Sequence, residues 1–350
     1  MKLYKILIPV LILAGLLLAV LYVDEKKEEQ TDIQLWKKDI DEIRYIPPTK
    51  PSDTEKLSKR KFSLHKKERG VKKNPFFYVS IEGAVQKHQY EAGYMVKNLF
   101  TDMTLRKTKI FEKVDVDTQK KLGIDPASSA SAELYYGGKK EESFLFGKEN
   151  REKNGRLILH NLTLASLDNY IAEKFYDPVF GLREKTLVNT GEAKISKFTF
   201  QSDDLNVSFD VRTVDEKNVV RTYWSKFTTK KMLINPSSGS RLEGKIAALS
   251  YDLFPDEENG QGFEVIEALT KGKDAAPAKE TAVLDFLFEN GKKVQIKFFI
   301  KTDINGANYY PVIRKTDDFT ESPAYMKENS LRELADTVKQ IKDEPEWKQN

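Results

Sequence analysis

The stretch LGIDPASSASAELYYGGKKEESFLFGKENREKNGRLILH, residues 122–160, decides how the fold is read. Ala132-Glu133-Leu134-Tyr135-Tyr136 and Ser143-Phe144-Leu145-Phe146 are strand-like runs on either side of Gly137-Gly138. Asn154-Gly155 then introduces a third run, Leu157-Ile158-Leu159. Runs paired about Gly-Gly or Asn-Gly predict hairpins, because tight primed turns require positive φ at their central residues. The same grammar recurs at 283–288, Asn290-Gly291, 294–300, Asn305-Gly306 and 309–313. The chain therefore reads as two tandem copies of one α+β unit, each built of antiparallel hairpins and two helices.

Upstream of this stretch, Ile40, Ile43, Tyr45 and Ile46 predict a strand that Pro47-Pro48 ends, since proline cannot donate to a ladder. Phe62-Ser63-Leu64 and Phe76-Phe77-Tyr78-Val79 are further strand candidates. Ala92, Val96, Leu99 and Met103 then follow one face of a 3.6-residue period. Leu164, Leu167, Ile171 and Phe175 predict the helix that closes the unit, stopped by Asp177-Pro178. The second unit offers strands at 195–200, 207–211 and 222–227, then a helix carrying Leu242, Ile246, Leu249 and Leu253. These four positions lie 150 residues after their counterparts, and Ser240 with Glu243 has the spacing of a capping box. Asp274 and Pro277 loosely echo Asp125-Pro126, and Leu331, Leu334, Val338 and Ile341 form the last helix.

Residues 3–23 are almost wholly aliphatic, and 6–23 carry no charge. As a helix, that uncharged run spans about 27 Å, close to the hydrocarbon thickness of a bilayer. The run ends Val20-Leu21-Tyr22-Val23 without the small residues of a cleavage site, so it reads as an uncleaved signal anchor. Lys2 and Lys5 favour a cytoplasmic N-terminus. The expected organisation is a transmembrane anchor (1–23), a tether (24–35), the first repeat (36–190), the second repeat (191–342) and a tail (343–350). That places a single-pass protein in the cytoplasmic membrane, with its C-terminal domain extracytoplasmic or periplasmic.

Composition narrows the chemistry. The chain has no cysteine, which excludes disulfides, thiolate metal sites and cysteine nucleophiles together. The net charge of +4 is too near neutral to argue for nucleic acid. His65, His88 and His160 show no close ligand spacing, and no Walker loop, nucleophile elbow or dinucleotide fingerprint is present. Asp256-Glu257-Glu258-Asn259-Gly260 reads as a solvated acidic loop, because its glycine arrives too early for a calcium loop. Asp115 and Asp117, near Thr118, read as loop or capping residues. No catalytic residue, cofactor or metal is expected, and the aromatics Phe76, Phe77, Tyr78, Tyr223 and Trp224 read as core.

One charge feature stands out. Lys56, Lys59, Arg60, Lys61, Lys66, Lys67, Arg69, Lys72 and Lys73 face only Glu68 in the same strip. Lys59, Arg60, Lys61, Lys66, Lys67, Lys72 and Lys73 are the candidates for contact with an anionic surface. The plainer reading is a solvated loop flanking an edge strand, where lysines oppose aggregation.

At Leu122-Gly123-Ile124-Asp125-Pro126, Gly147 and Arg183-Glu184-Lys185 the chain resembles a bacterial family of unknown function. Its members are membrane-anchored, repetitive α+β proteins often associated with ABC-transporter auxiliary components of the gliding-motility type. The resemblance covers roughly residues 36–341, is weaker in the second copy, and supplies no catalytic residues. It implies a non-catalytic envelope protein that presents its repeats to a partner, an ABC-transporter permease or auxiliary protein. The residues offer an alternative, a binding module for an anionic polymer or lipid that uses the basic strip.

Overall fold

Alternation of apolar and polar residues writes most of this chain as strand. The computed structural model describes residues 32–34, 39–49, 56–69, 74–82, 87–101, 104–106, 114–150, 154–176, 179–191, 193–216, 219–227, 231–255, 279–317 and 319–348. The strands of the first half are β1 (Asp32–Gln34), β2 (Glu42–Ile46), β3 (Phe62–Arg69), β4 (Asn74–Glu82) and β5 (Lys87–Glu91). They continue as β6 (Thr104–Arg106), β7 (Ser131–Tyr136), β8 (Lys139–Glu149), β9 (Gly155–His160) and β10 (Thr163–Asp168). The second half begins with β11 (Ile195–Ser202), β12 (Asn206–Glu216), β13 (Val219–Phe227), β14 (Lys231–Leu233) and β15 (Glu280–Phe288). It ends with β16 (Lys293–Phe299), β17 (Thr302–Ile304), β18 (Ala307–Thr316), β19 (Phe319–Thr320) and β20 (Ala324–Lys327). The helices are α1 (Tyr94–Thr101), α2 (Val116–Lys121), α3 (Asn169–Ala172), α4 (Pro236–Ala247) and α5 (Glu328–Asp343).

Two large sheets result, and every ladder is antiparallel. The first runs β5-β4-β3-β2-β7-β8-β9-β10, and the second runs β14-β13-β12-β11-β15-β16-β18. In each, two meanders lie side by side with their first strands paired at the centre, β2 with β7 and β11 with β15. A helix follows the first meander in both halves, α1 after β5 and α4 after β14. β20 pairs with β18 on the side opposite β16, since Val312 faces both Phe298 and Ala324, and α5 follows it. β1 and β6 form a separate two-stranded ladder.

The architecture corrects the α+β expectation: the chain is mostly antiparallel β, and its helices are few. Leu164 and Leu167 lie on β10, not on a helix, and only Ile171 and Phe175 continue into α3 and a short 3-10 turn. β10 is buried on both faces at 164–167, which gave its leucines a helix-like spacing. Ala92 precedes α1 in a bridge to Arg183, while Leu249 and Leu253 follow α4. Asn235, not Ser240, caps α4, accepting from the Ser237 amide at 2.9 Å with Pro236 at the first helical position.

The membrane expectation is corrected too. Among the described residues no helix is long and apolar enough to cross a membrane. Residues 3–23, on which the anchor rested, lie outside the described residues, as do Met103, Asp177-Pro178, the 256–262 loop, 274–277, Lys72 and Lys73. The transmembrane-helix, signal-anchor, single-pass and inner-membrane readings therefore have no structural support.

One apolar core runs through both sheets, with Tyr45, Phe62, Phe144, Phe146 and Phe175 from the first half and Phe198, Phe209 and Phe286 from the second. The helix α5 buries Leu331, Leu334, Val338 and Ile341. Its last carbonyls are taken up by the buried Lys226 of β13, whose Nζ donates to Ile341 O and Lys342 O at 2.8 Å and also to Glu344 O. The halves meet where Arg314 of β18 is buried between Glu91 and Glu321, at 2.8 and 2.9 Å. Glu321 also accepts from the Tyr251 hydroxyl at 2.6 Å and the Glu91 amide at 2.8 Å. Burial pushes the Glu321 carboxyl up despite Arg314, while Arg314 stays charged because two carboxylates outweigh its own desolvation.

Removing one member of such a cluster strands the others. Arg314→Leu should lose about 3–5 kcal/mol in urea unfolding, because two buried carboxylates lose their cation. Adding Glu91→Gln and Glu321→Gln should recover part of that loss, whereas a loss under about 0.5 kcal/mol for Arg314→Leu, the scale of an exposed substitution, would mean the cluster is solvated.

Candidate functional site

In an antiparallel sheet, period-two alternation sends every other side chain to the face away from the core. On the first sheet the cross-strand pairs on that outer face align into rows. One row runs Tyr135, Glu42, His65, Tyr78, Glu91, and a second runs Glu133, Arg44, Ser63, Ser80, Gln89. Both ends of the face are covered. At one end the 114–130 segment lays Val114, Leu122 and Ile124 over Leu145, Leu157, Leu159 and Leu164. Gly147 makes this possible, since a Cβ there would sit 2.7 Å from Ile124 Cγ1. At the other end Phe319 packs on Phe76 and Tyr78, with ring centroids 5.0 and 5.4 Å apart. Between the two covers lies a polar trough.

The trough is a chain of charges and rings. Lys140 Nζ lies 2.6 Å from Glu133, which also accepts from the Tyr135 hydroxyl at 2.8 Å. The Arg44 guanidinium stands 3.9 Å over the Tyr135 ring and grips Glu42 with two hydrogen bonds, at 2.7 and 3.0 Å. Such a fork is geometrically specific, and the cation–π contact adds about 0.5–2 kcal/mol. His65 stacks on Tyr78 at 4.4 Å, and its Nδ1 is 3.9 Å from Glu42. Lys67 lies 5.0 Å over the other ring neighbour, Tyr78, and Lys87 of β5 belongs to the same face. Arg44 and Lys140 have carboxylate partners, whereas Lys67 and Lys87 have none among the described residues.

Burial pushes the His65 imidazole down to about 4, against the raising effect of Glu42 and with help from Lys87, Lys67 and Arg44. Burial also pushes Glu42 up, but the Arg44 hydrogen bond and the surrounding cations hold it below the usual carboxylate range. Glu133 is likewise raised by burial and lowered further by Lys140 and Tyr135. The trough at neutral pH thus sets the ionised Glu42 and Glu133 carboxylates and a neutral imidazole beside Arg44, Lys67, Lys87 and Lys140. An imidazole with so low a pKa is a weak general base at neutral pH, so the arrangement is suited to binding. Among the described residues no group of three or more histidine, aspartate or glutamate side chains could hold a metal ion.

The basic strip is divided by the fold. Its strand β3 is interior, paired with β2 and β4, not an edge. Lys59, Arg60 and Lys61 precede or open β3, where Lys61 pairs with Glu82 at 2.9 Å and Lys56 with Glu149 at 3.0 Å. Lys66 and Lys67 lie toward its other end, pointing to opposite faces, and only Lys67 reaches the trough rings. Lys72 and Lys73 are outside the described residues. His88 is buried, and His160 ends β9 with Nε2 2.8 Å from Glu142. Asp115 caps α2, accepting from the Thr118 amide at 2.7 Å. Arg44, Glu42, Glu133, Tyr135, Lys140 and Lys87 went unnoticed in the sequence, although Glu42-x-Arg44 and Glu133-x-Tyr135 have the spacing of outward neighbours on a strand. The chain matches no protein-family model, no curated protein sequence and no solved structure.

The depressed His65 pKa fixes a pH dependence. An unfolded histidine binds its proton near 6.5, and the folded one only near 4. Between these values the unfolded state holds more protons, so this contribution is fully present above about 6.5 and is lost as pH falls toward about 4. Thermal melting across that window should show Tm falling on acidification, with a shallower fall in His65→Gln. An identical slope in the variant would mean that His65 titrates normally.

Proposed function

We propose that the chain is a non-catalytic binding protein that lays an extended anionic polymer across the outer face of its first sheet. The observation that carries this reading is that Arg44, over the Tyr135 ring, Lys140, on Glu133, Lys67, over the Tyr78 ring, and Lys87 share one sheet face between two covers. The ion pairs of Arg44 and Lys140 fix those cations in place, while Lys67 and Lys87 add further positive charge on the same face. An anion in the trough gains Coulomb attraction from a cluster whose shape exists before binding, so little ordering cost opposes it. A transporter permease or auxiliary partner comes from the family resemblance alone, and co-purification with such a complex is its separate test.

Long-chain polyphosphate is a suitable probe. The full-length chain should co-sediment with it at low salt and release it as ionic strength rises, since exposed charges are screened within about 10 Å at 0.1 M. Lys67→Glu with Lys87→Glu should abolish co-sedimentation while moving stability by only about 0.5 kcal/mol, as exposed substitutions usually do. Lys59→Glu with Arg60→Glu, at the other end of β3, should leave it intact. The reverse pattern, or no co-sedimentation by the wild type, would overturn the assignment.

A further inference from the structure

A concavity opens under α4 in the second half. Ile195, Val211 and Trp224, from β11, β12 and β13, floor a cleft of about 540 Å3 walled by Glu243, Gly244 and Ala247. Thr190, Lys194, Ser240, Glu243 and Glu289 line its polar half, and a volume of this order is that of small-molecule sites. Gly244 is the telling residue. A glycine inside a helix is less favourable than alanine, and here a Cβ would meet nothing within 4 Å. Gly239 is different, because a Cβ there would lie 3.0 Å from Trp224 Cδ1, so close packing accounts for it. Gly244 is exposed at the rim of the cleft, where a side chain would have no packing partner at its Cβ.

The polar group is held in position. Trp224 donates its indole N–H to Glu243 Oε1 at 2.7 Å, and the ionised carboxylate keeps acceptor capacity on its other oxygen. Lys194 and Glu289 also line the cleft and offset each other in charge, so Glu243 sets its sign. An apolar body would lie against Trp224, and a cation beside Glu243 would also be attracted to the indole. We infer that this cleft binds a small organic ammonium ion, with its hydrocarbon part on Trp224 and its ammonium on the Glu243 carboxylate.

The test is calorimetric titration of the full-length chain with phenethylammonium chloride, beside its neutral isostere 2-phenylethanol. The ammonium should bind and the alcohol should bind at least about tenfold more weakly, as expected for loss of a charge-assisted hydrogen bond. Glu243→Gln keeps an acceptor for the indole but not the charge, and should erase that preference. Gly244→Leu places a bulky side chain at the cleft's rim, where its Cβ meets nothing within 4 Å, and improves helix propensity. It should keep or raise Tm while weakening phenethylammonium binding by at least about tenfold. Equal affinity for ammonium and alcohol, undiminished binding by Gly244→Leu, or no heat from the wild type at millimolar ligand would overturn the inference.

Discussion

The two halves of this protein are held in register by a buried guanidinium. Arg314 lies between Glu91 and Glu321, and no member of the trio is reached by solvent to any useful extent. Such a cluster adds little net stability over apolar packing, yet it heavily penalises every arrangement that leaves one member unpaired. Glu91 is the end of β5, Arg314 lies within β18, and Glu321 follows β19. The edge of the first sheet is thereby tied to the last meander of the second. The Gln89 amide donates to Ser322 Oγ and the Ser322 amide to Gln89 O, each at 2.8 Å, and the Tyr90 hydroxyl donates to Pro323 O at 3.1 Å, so the tie is repeated beside it. Arg183 adds a cationic cover, 5.1 Å over Tyr90 and 4.4 Å over Phe254.

This junction also shapes the trough. Glu91 is the last residue of the row that begins with Tyr135 and passes through Glu42, His65 and Tyr78. The clamp that joins the halves thus anchors one end of the row, and Phe319, two residues before Glu321, covers the rings beside it. At the far end Asp125 fixes the other cover, accepting from the Ala127 amide at 3.1 Å and from the Ser128 hydroxyl at 2.9 Å. A polar row held at both ends keeps its charges in place without a ligand, and side-chain ordering is a principal cost of binding. That is why the ion pairs inside the trough are better understood as positioning than as stability. Exposed pairs of this kind contribute about 0–1 kcal/mol each.

Sequence reading succeeded where local chemistry dictates conformation. Gly137-Gly138 and Asn305-Gly306 occupy the positive-φ turns they promised, and the strands about them follow from alternation. The turn joining β9 to β10 was missed because Asn161 and Leu162 take positive φ at 47° and 65°, and leucine gives no hint of that. Leu164 to Phe175 misled because a strand buried on both faces loses its period-two signature. The trough was half legible: its outward neighbours share a strand-like spacing, but only the pairing of β2 with both β3 and β7 brings them together. Glu91 and Glu321 are 230 residues apart, and no local pattern marks either as the other's neighbour.

Two halves of the same strand order have been put to different use. On the second sheet the equivalent outer row is Ser208, Thr199, Asp285, Gln295 and Lys315. It makes only short local contacts, Gln295 to Asp285 at 2.8 Å and Thr199 with Ser208 at 3.1 Å. The row continues past Ser208 to the exposed Phe227 of β13, and a concavity of about 520 Å3 lined by Lys197, Thr199, Asp285, Gln295 and Lys315 lies along it. The second half also leaves open space on the core side, where Gly244 of α4 and Trp224 line one cleft. The second half thus offers space on both faces of its sheet, while the buried Arg314 cluster ties it to the edge of the first.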